Sequence, residues 1–169
     1  MENLSFKETQ RFRQFWIWLL VICIVGLYGW GFVQQIILGK PWGTKPASDT
    51  ILILISIIPV CILFLFLTAR LETEINENGI YYKFIPFHFK RYKIDWTDVE
   101  KAIVRKYKPI SEFGGWGIRI WLGYGKAYNV SGNKGLQIEL KNGKRLLIGT
   151  QKPEEIEYIL QQLANNKKT

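Results

Sequence analysis

One histidine, two cysteines and fourteen carboxylates are the residues of this 169-residue chain that could carry acid–base, nucleophilic or metal chemistry. His88 has no second histidine or cysteine at a ligand spacing, and no carboxylate set converges on it. Neither a Gly-x-Ser-x-Gly element nor a nucleophile–base pair is evident. Cys23 and Cys61 lie inside apolar runs, each eight residues from one end of its run, at matching depth for two antiparallel helices. They read as small packing residues rather than a redox pair. The glycine-rich stretch Phe113–Arg119 (FGGWGIR) could cradle an anion with backbone N–H groups. It lacks the Lys-Ser/Thr of a phosphate loop and opens no helix, so it reads as a strand connection that packs Trp116. The sequence therefore predicts no catalytic, cofactor or metal site, and a protein that is not an enzyme.

The other residues with binding chemistry are cationic. Lys90, Arg91 and Lys93 form one group, and Arg105, Lys106 and Lys108 another. Phe87, Phe89, Tyr92 and Tyr107 interleave with them. Aromatic bodies with cationic tips suit a lipid headgroup interface or a solvated strand face. With Trp116 and Arg119 these six make the candidate lipid or partner surface. Residues 70–169 hold 18 Lys and Arg against 11 Asp and Glu.

The elements that position these residues begin with two charge-free stretches, 14–39 and 50–69. A helix needs roughly 20 apolar residues to cross the hydrocarbon core. Phe15–Leu38 and Ile51–Ala69 meet that length, so residues 15–69 are expected to form a transmembrane hairpin with an outer loop over 39–50. Neither helix has a polar face, and the rest of the chain is too small to wrap both as a soluble core. Lys7, Arg11, Arg13 and Arg70 flank the hairpin on one side. The positive-inside rule then puts residues 1–14 and the domain 70–169 in the cytoplasm. A basic domain held under an anionic leaflet already has a negative partner, so nucleic acid is not invoked. Gly26, Gly29 and Gly31, with Ser56 and Pro59, would allow close helix approach within the hairpin, or between copies in a homo-oligomer.

From Arg70 onward the pattern has period two, the mark of antiparallel strands. Leu71, Thr73 and Ile75 alternate with polar residues, and Ile80, Tyr82 and Phe84 continue after Asn78-Gly79. A two-residue loop there would set Glu74 opposite Lys83. Further strands are expected over Lys90–Ile94, Val99–Lys108, Ile118–Leu122 and Ala127–Val130, with Pro109–Gly117 as a loop. In the last hairpin, only a three-residue loop with Gly143 left-handed sets Leu136 opposite Ile148 and Ile138 opposite Leu146. Pro153, Glu154 and Glu155 then open a helix reaching about Ala164, with Ile156, Ile159, Leu160 and Leu163 as its apolar stripe. Asn165–Thr169 reads as a tail.

About seven strands and a C-terminal helix that plugs one end give an α+β domain. The runs Asn78-Gly79-Ile80, Ile94-Asp95-Trp96, Gly114-Gly115-Trp116-Gly117-Ile118-Arg119, Ala127-Tyr128, Lys134-Gly135-Leu136, Asn142-Gly143-Lys144 and Gly149-Thr150-x-x-Pro153-Glu154-Glu155 resemble bacterial pleckstrin-homology (PH)-domain membrane proteins of an uncharacterised family. The resemblance implies a PH-like antiparallel barrel or sandwich behind a short transmembrane hairpin, at the cell inner membrane. The first hairpin loop, Asn76-Glu77-Asn78-Gly79, lacks the basic residues that phosphoinositide-binding PH domains place there. The expected function is a non-catalytic, membrane-proximal binding or assembly module whose partner is a membrane or cytoplasmic protein. The alternative is a module in which the basic, aromatic strands sense anionic lipid.

Overall fold

The computed structural model describes residues 4–121 and 123–166, and the chain divides into residues 12–68 and a second unit built from the segments before and after them. In the first unit, α1 (Phe15–Phe32) runs into a π-helical turn over Val33–Ile37, and α2 (Asp49–Thr68) returns. Both are long and apolar enough to cross a membrane, and few of their side chains are buried. The sequence predicts one uniform helix to Leu38; the last turn is wider. Gln35 lies in that turn, and its Nε2 donates to Ala47 O (2.7 Å) and Asp49 Oδ1 (2.8 Å), tying the turn to the connecting loop and the start of α2. The second helix starts two residues before Ile51, with Asp49 in its first turn, where the helix dipole favours an anion.

The glycines of α1 differ in role. A Cβ at Gly31 would meet the Trp42 ring at 2.6 Å, so Gly31 seats the connecting loop. At Gly26 and Gly29 a Cβ would meet nothing, so they do not serve packing within the hairpin. Cys23 and Cys61 are both free and exposed.

The second unit is a pair of sheets. The first has the order β1-β2-β3-β4, from β1 (Ser5–Arg11), β2 (Arg70–Asn76), β3 (Gly79–Ile85) and β4 (Tyr92–Ile94). The second has the order β5-β8-β9-β7-β6, from β5 (Val99–Lys106), β6 (Gly117–Trp121), β7 (Gly125–Asn129), β8 (Lys134–Leu140) and β9 (Arg145–Gly149). A five-residue helix, α3 (Pro109–Phe113), follows β5, and α4 (Pro153–Asn166) ends the described chain.

This architecture is α+β with a C-terminal helix, as expected, but the two sheets do not close into a barrel. Nine strands form among the described residues rather than about seven. The extra ones include β1, in the segment read as a separate N-terminal piece. Its inward residues Phe6, Glu8 and Gln10 are buried opposite Ile75, Thr73 and Leu71. One junction is parallel rather than antiparallel: β7 lies beside β9, with Ala127 opposite Leu147. That pairing joins the hairpins β6–β7 and β8–β9 and has no local sequence signal. Leu122, where the sixth-strand reading ended, lies outside the described residues, as do residues 167–169 of the expected tail.

The β8–β9 hairpin has the expected register. Leu136 faces Ile148 and Ile138 faces Leu146, while Gly143 turns the chain at φ +78°. The β2–β3 hairpin does not. It closes one residue earlier, with Asn76 opposite Gly79, Glu74 opposite Tyr81 and Glu72 opposite Lys83. The same side chains stay on the inner face in either register, so hydrophobic pattern cannot choose between them. Asn76 chooses: its Oδ1 accepts the Asn78 N–H (2.9 Å) and starts the turn early. Gly79 then permits β4 to approach, because a Cβ there would lie 2.5 Å from Ile94 O. Pro109–Gly117 is not all loop: Pro109 opens α3, Glu112 Oε1 accepts the Lys108 N–H (2.7 Å), and Gly114 ends it at φ +69°.

The inner faces of both sheets supply the core, including Leu71, Ile75, Ile80, Phe84, Leu136, Ile138, Leu147 and Ile148. Each buried side chain of this size contributes about 1.5–3 kcal/mol. Helix α4 presents Ile156, Ile159 and Leu163 as its buried stripe and packs against β1 and β2 of one sheet and β5 and β8 of the other. It fills one side of the sandwich. Leu160, expected on the same stripe, is only half-buried.

Candidate functional site

The side of the sandwich away from α4 is held by aromatic rings. Tyr82 of β3 and Tyr92 of β4 stack at 5.5 Å between centroids. Tyr128 of β7, in the other sheet, meets Tyr82 at 5.0 Å between ring centroids. His88, in the β3–β4 connection, touches both Tyr92 (4.6 Å) and Tyr128 (5.1 Å). Such edge and offset contacts are favourable beyond the area they bury.

The state of His88 follows from its partners. The Phe84 N–H donates to Nδ1 (3.1 Å), which fixes the proton of the neutral ring on Nε2. Burial lowers the His88 pKa, and the Lys126 ammonium lowers it further. Burial raises the pKa of Tyr82 and of Tyr128. All three groups are therefore held neutral at pH 7. The neutral imidazole and the protonated phenols bridge the two sheets through their ring contacts. Among the described residues, no group of three His, Cys, Asp or Glu side chains could hold a metal.

Next to this cluster the sandwich opens into a cleft of about 620 Å³. Its apolar lining comes from Tyr82 and Ile94 of the first sheet and from Ile120, Trp121, Leu140 and Leu146 of the second. Lys126, Lys144 and Arg145 are the charged residues in its lining, and no acidic side chain lines it among the described residues. Arg145 shares Glu139 at 3.8 Å. Ile120 is 72% exposed and Trp121 49% exposed. A concave apolar site with a few charged groups at its rim has the size and character of a ligand cleft.

The predicted cationic surface is divided. Lys90, Arg91 and Lys93 belong to the β3–β4 region of the first sheet; Arg105, Lys106 and Lys108 belong to β5 and its end in the second. Three of the six are spoken for locally. Arg91 binds Glu74 (2.7 Å), Lys93 binds Asp95 (2.5 Å), and Arg105 binds Glu112 (2.7 Å) and Gln137. Glu112 has its pKa lowered overall: burial alone would raise it, but the bonds from Arg105 and the Lys108 N–H outweigh that. Lys90, Lys106 and Lys108 are exposed and make no ion pair among the described residues. Trp116 donates from Nε1 to Gly132 O (3.0 Å), and Arg119 donates from Nε to Trp116 O (3.0 Å). Both bonds knit the loop before β6 to its neighbours.

The chain belongs to a family of unknown function, DUF6141, whose pattern matches residues 2–165. The match spans β1, both apolar helices and the two-sheet unit, so these form one inherited whole. No curated protein matches the chain.

The cleft and the ring cluster were not legible in the sequence. Tyr82 and Tyr128 lie on different sheets and meet only because β7 pairs in parallel with β9. Nothing near His88 in the sequence points to its ring partners, Tyr92 and Tyr128. The one local hint was Tyr82 on the inward alternation of Ile80 and Phe84.

Proposed function

We propose that this is a two-pass membrane protein of the cell inner membrane, with both termini cytoplasmic, whose two-sheet unit is a PH-like, non-catalytic binding module. The PH-like reading is supported by two packed sheets with a C-terminal helix filling one side of the sandwich. The N-terminal strand β1 and the parallel β7–β9 pair depart from a simple antiparallel meander. The membrane reading is supported by two long apolar helices with lysine and arginine at their cytoplasmic ends.

The observation that carries the binding role is the open apolar cleft beside the Tyr82–His88–Tyr128 cluster. Its lip exposes Ile120 and Trp121. Grouped exposed apolar side chains around a concavity mark binding surfaces. A lipid sensor built on the basic strands is the weaker reading, because Arg91, Lys93 and Arg105 already have carboxylate partners. A photo-crosslinking amino acid in place of Trp121, which lines the cleft and is exposed, should yield an adduct in cells. No adduct of any kind at that lip would remove the binding role.

A further inference from the structure

Resting on that reading, we infer that the cleft takes one acyl chain of an anionic membrane lipid. Three observations converge on this occupant. The walls are mostly apolar: Tyr82, Ile94, Ile120, Trp121, Leu140 and Leu146 offer apolar contact area. The rim is cationic, with Lys126, Lys144 and Arg145 and no acid in the described lining. Only Arg145 has a carboxylate partner among these three. An apolar slot closed by ammonium groups is complementary to a chain with an anionic head and mismatched to a cationic or purely polar ligand.

The third observation is covalent. The unit is joined to the apolar helices at two short links, Arg11 to Phe15 and Thr68 to Arg70. Its local concentration of bilayer lipid is thereby set by a tether, so a modest intrinsic affinity suffices for occupancy. The exposed Ile120 and Trp121 form the entrance an acyl chain would pass, and desolvating them is favourable in proportion to the area covered. The site lies apart from the cationic strands: neither Lys90, Arg91, Lys93 nor Arg105, Lys106, Lys108 lines it.

The test uses the whole chain in nanodiscs of phosphatidylcholine doped with phosphatidylglycerol that carries a diazirine on one acyl chain. After illumination, adducts are mapped by peptide mass spectrometry. The expected result is labelling of the Ile120–Trp121 and Leu140–Leu146 peptides in addition to Phe15–Ile37 and Asp49–Thr68. Ile120→Glu should cut labelling of the cleft about tenfold or more, because it sets a charge at the apolar entrance and neutralises Lys126, which lies directly opposite on β7. The side chain is exposed, so the fold tolerates this change, and labelling of the helices should persist. Lys126→Gln with Lys144→Gln should erase the preference for phosphatidylglycerol over equally labelled phosphatidylcholine. Labelled helices with an unlabelled cleft would overturn the inference and leave the binding module standing. Unlabelled helices would remove the membrane reading beneath it. A protein adduct in place of lipid at Trp121 in cells would overturn the lipid assignment alone.

Discussion

Arg11 and Arg70 face each other as the last pair of the β1–β2 ladder. Everything between them in sequence is the apolar segment. Like charges set directly opposite repel, but here Arg70 is drawn aside by Glu72 (2.9 Å) and Arg11 is exposed. An insertion that leaves and re-enters a sheet at one point must cross a bilayer an even number of times. On the reading proposed above, a reporter active only outside the cytoplasm should light up at Gly43 and stay silent after Thr169. The opposite pattern would reject the topology.

The same pairing decides which part of the chain folds alone. Joining residues 4–11 to residues 70–166 through a tight turn in place of residues 12–69 should give a soluble, cooperatively melting protein. Residues 70–166 by themselves should not fold, because Leu71 and Ile75 lose Phe6 and the buried strand β1. Circular dichroism of both would decide; a well-folded 70–166 fragment would show that β1 is dispensable.

Glu8 ties that strand to the far end of the chain. Its carboxylate accepts the Thr150 hydroxyl (2.7 Å) and the Gln151 N–H (2.9 Å), and neighbouring Gln10 donates to Gly149 O (2.6 Å). Glu8→Ala leaves buried donors unpaired and should cost about 1–3 kcal/mol in the soluble version. Thr73 lies opposite Glu8 with a buried hydroxyl that lacks a hydrogen bond. Thr73→Val should therefore be neutral or stabilising, a contrast that denaturant midpoints would reveal.

Local signals in the sequence were read correctly where they were sufficient. Gly143 fixed the β8–β9 register because only a left-handed residue brings Leu136 to Ile148. Pro153, Glu154 and Glu155 marked the start of α4 through first-turn chemistry. The misreadings have one physical cause: the deciding contact was remote or degenerate. Strand β1 pairs across the whole apolar insertion, and β7 pairs in parallel with β9. The β2–β3 register was settled by one Asn76 side chain, since either choice buries the same face. The cleft depends on the two remote pairings together, so no window of sequence contains it.

The stripe of α4 offers a graded test. Ile156 is fully buried and Leu163 nearly so, whereas Leu160 is half-buried. Ile156→Ala and Leu163→Ala should each cost about 2–5 kcal/mol by loss of contacts and cavity formation. Leu160→Ala should cost less than either. Equal costs at all three positions would mean that the helix rotates on its seat.

The last expectation concerns pH. His88 is held neutral by the Phe84 N–H on Nδ1, by burial among Tyr82, Tyr92 and Tyr128, and by the Lys126 ammonium. No carboxylate lies among these neighbours to reward protonation. Its folded pKa lies below the unfolded value of 6.5, so the unfolded chain binds the proton more readily. The contribution is therefore fully present above that value and is lost as pH falls from it towards the lowered folded pKa. Stability of the soluble version should decline on acidification below about 6.5, the ordinary value for histidine. His88→Asn should flatten that part of the profile, although the loss of ring contacts lowers stability at every pH. Tyr128→Phe keeps the ring against His88 and removes only the hydroxyl, so it should preserve the pH slope. A slope that survives in His88→Asn would assign the acid sensitivity to carboxylates such as Glu112, whose lowered folded pKa acts in the same direction at lower pH.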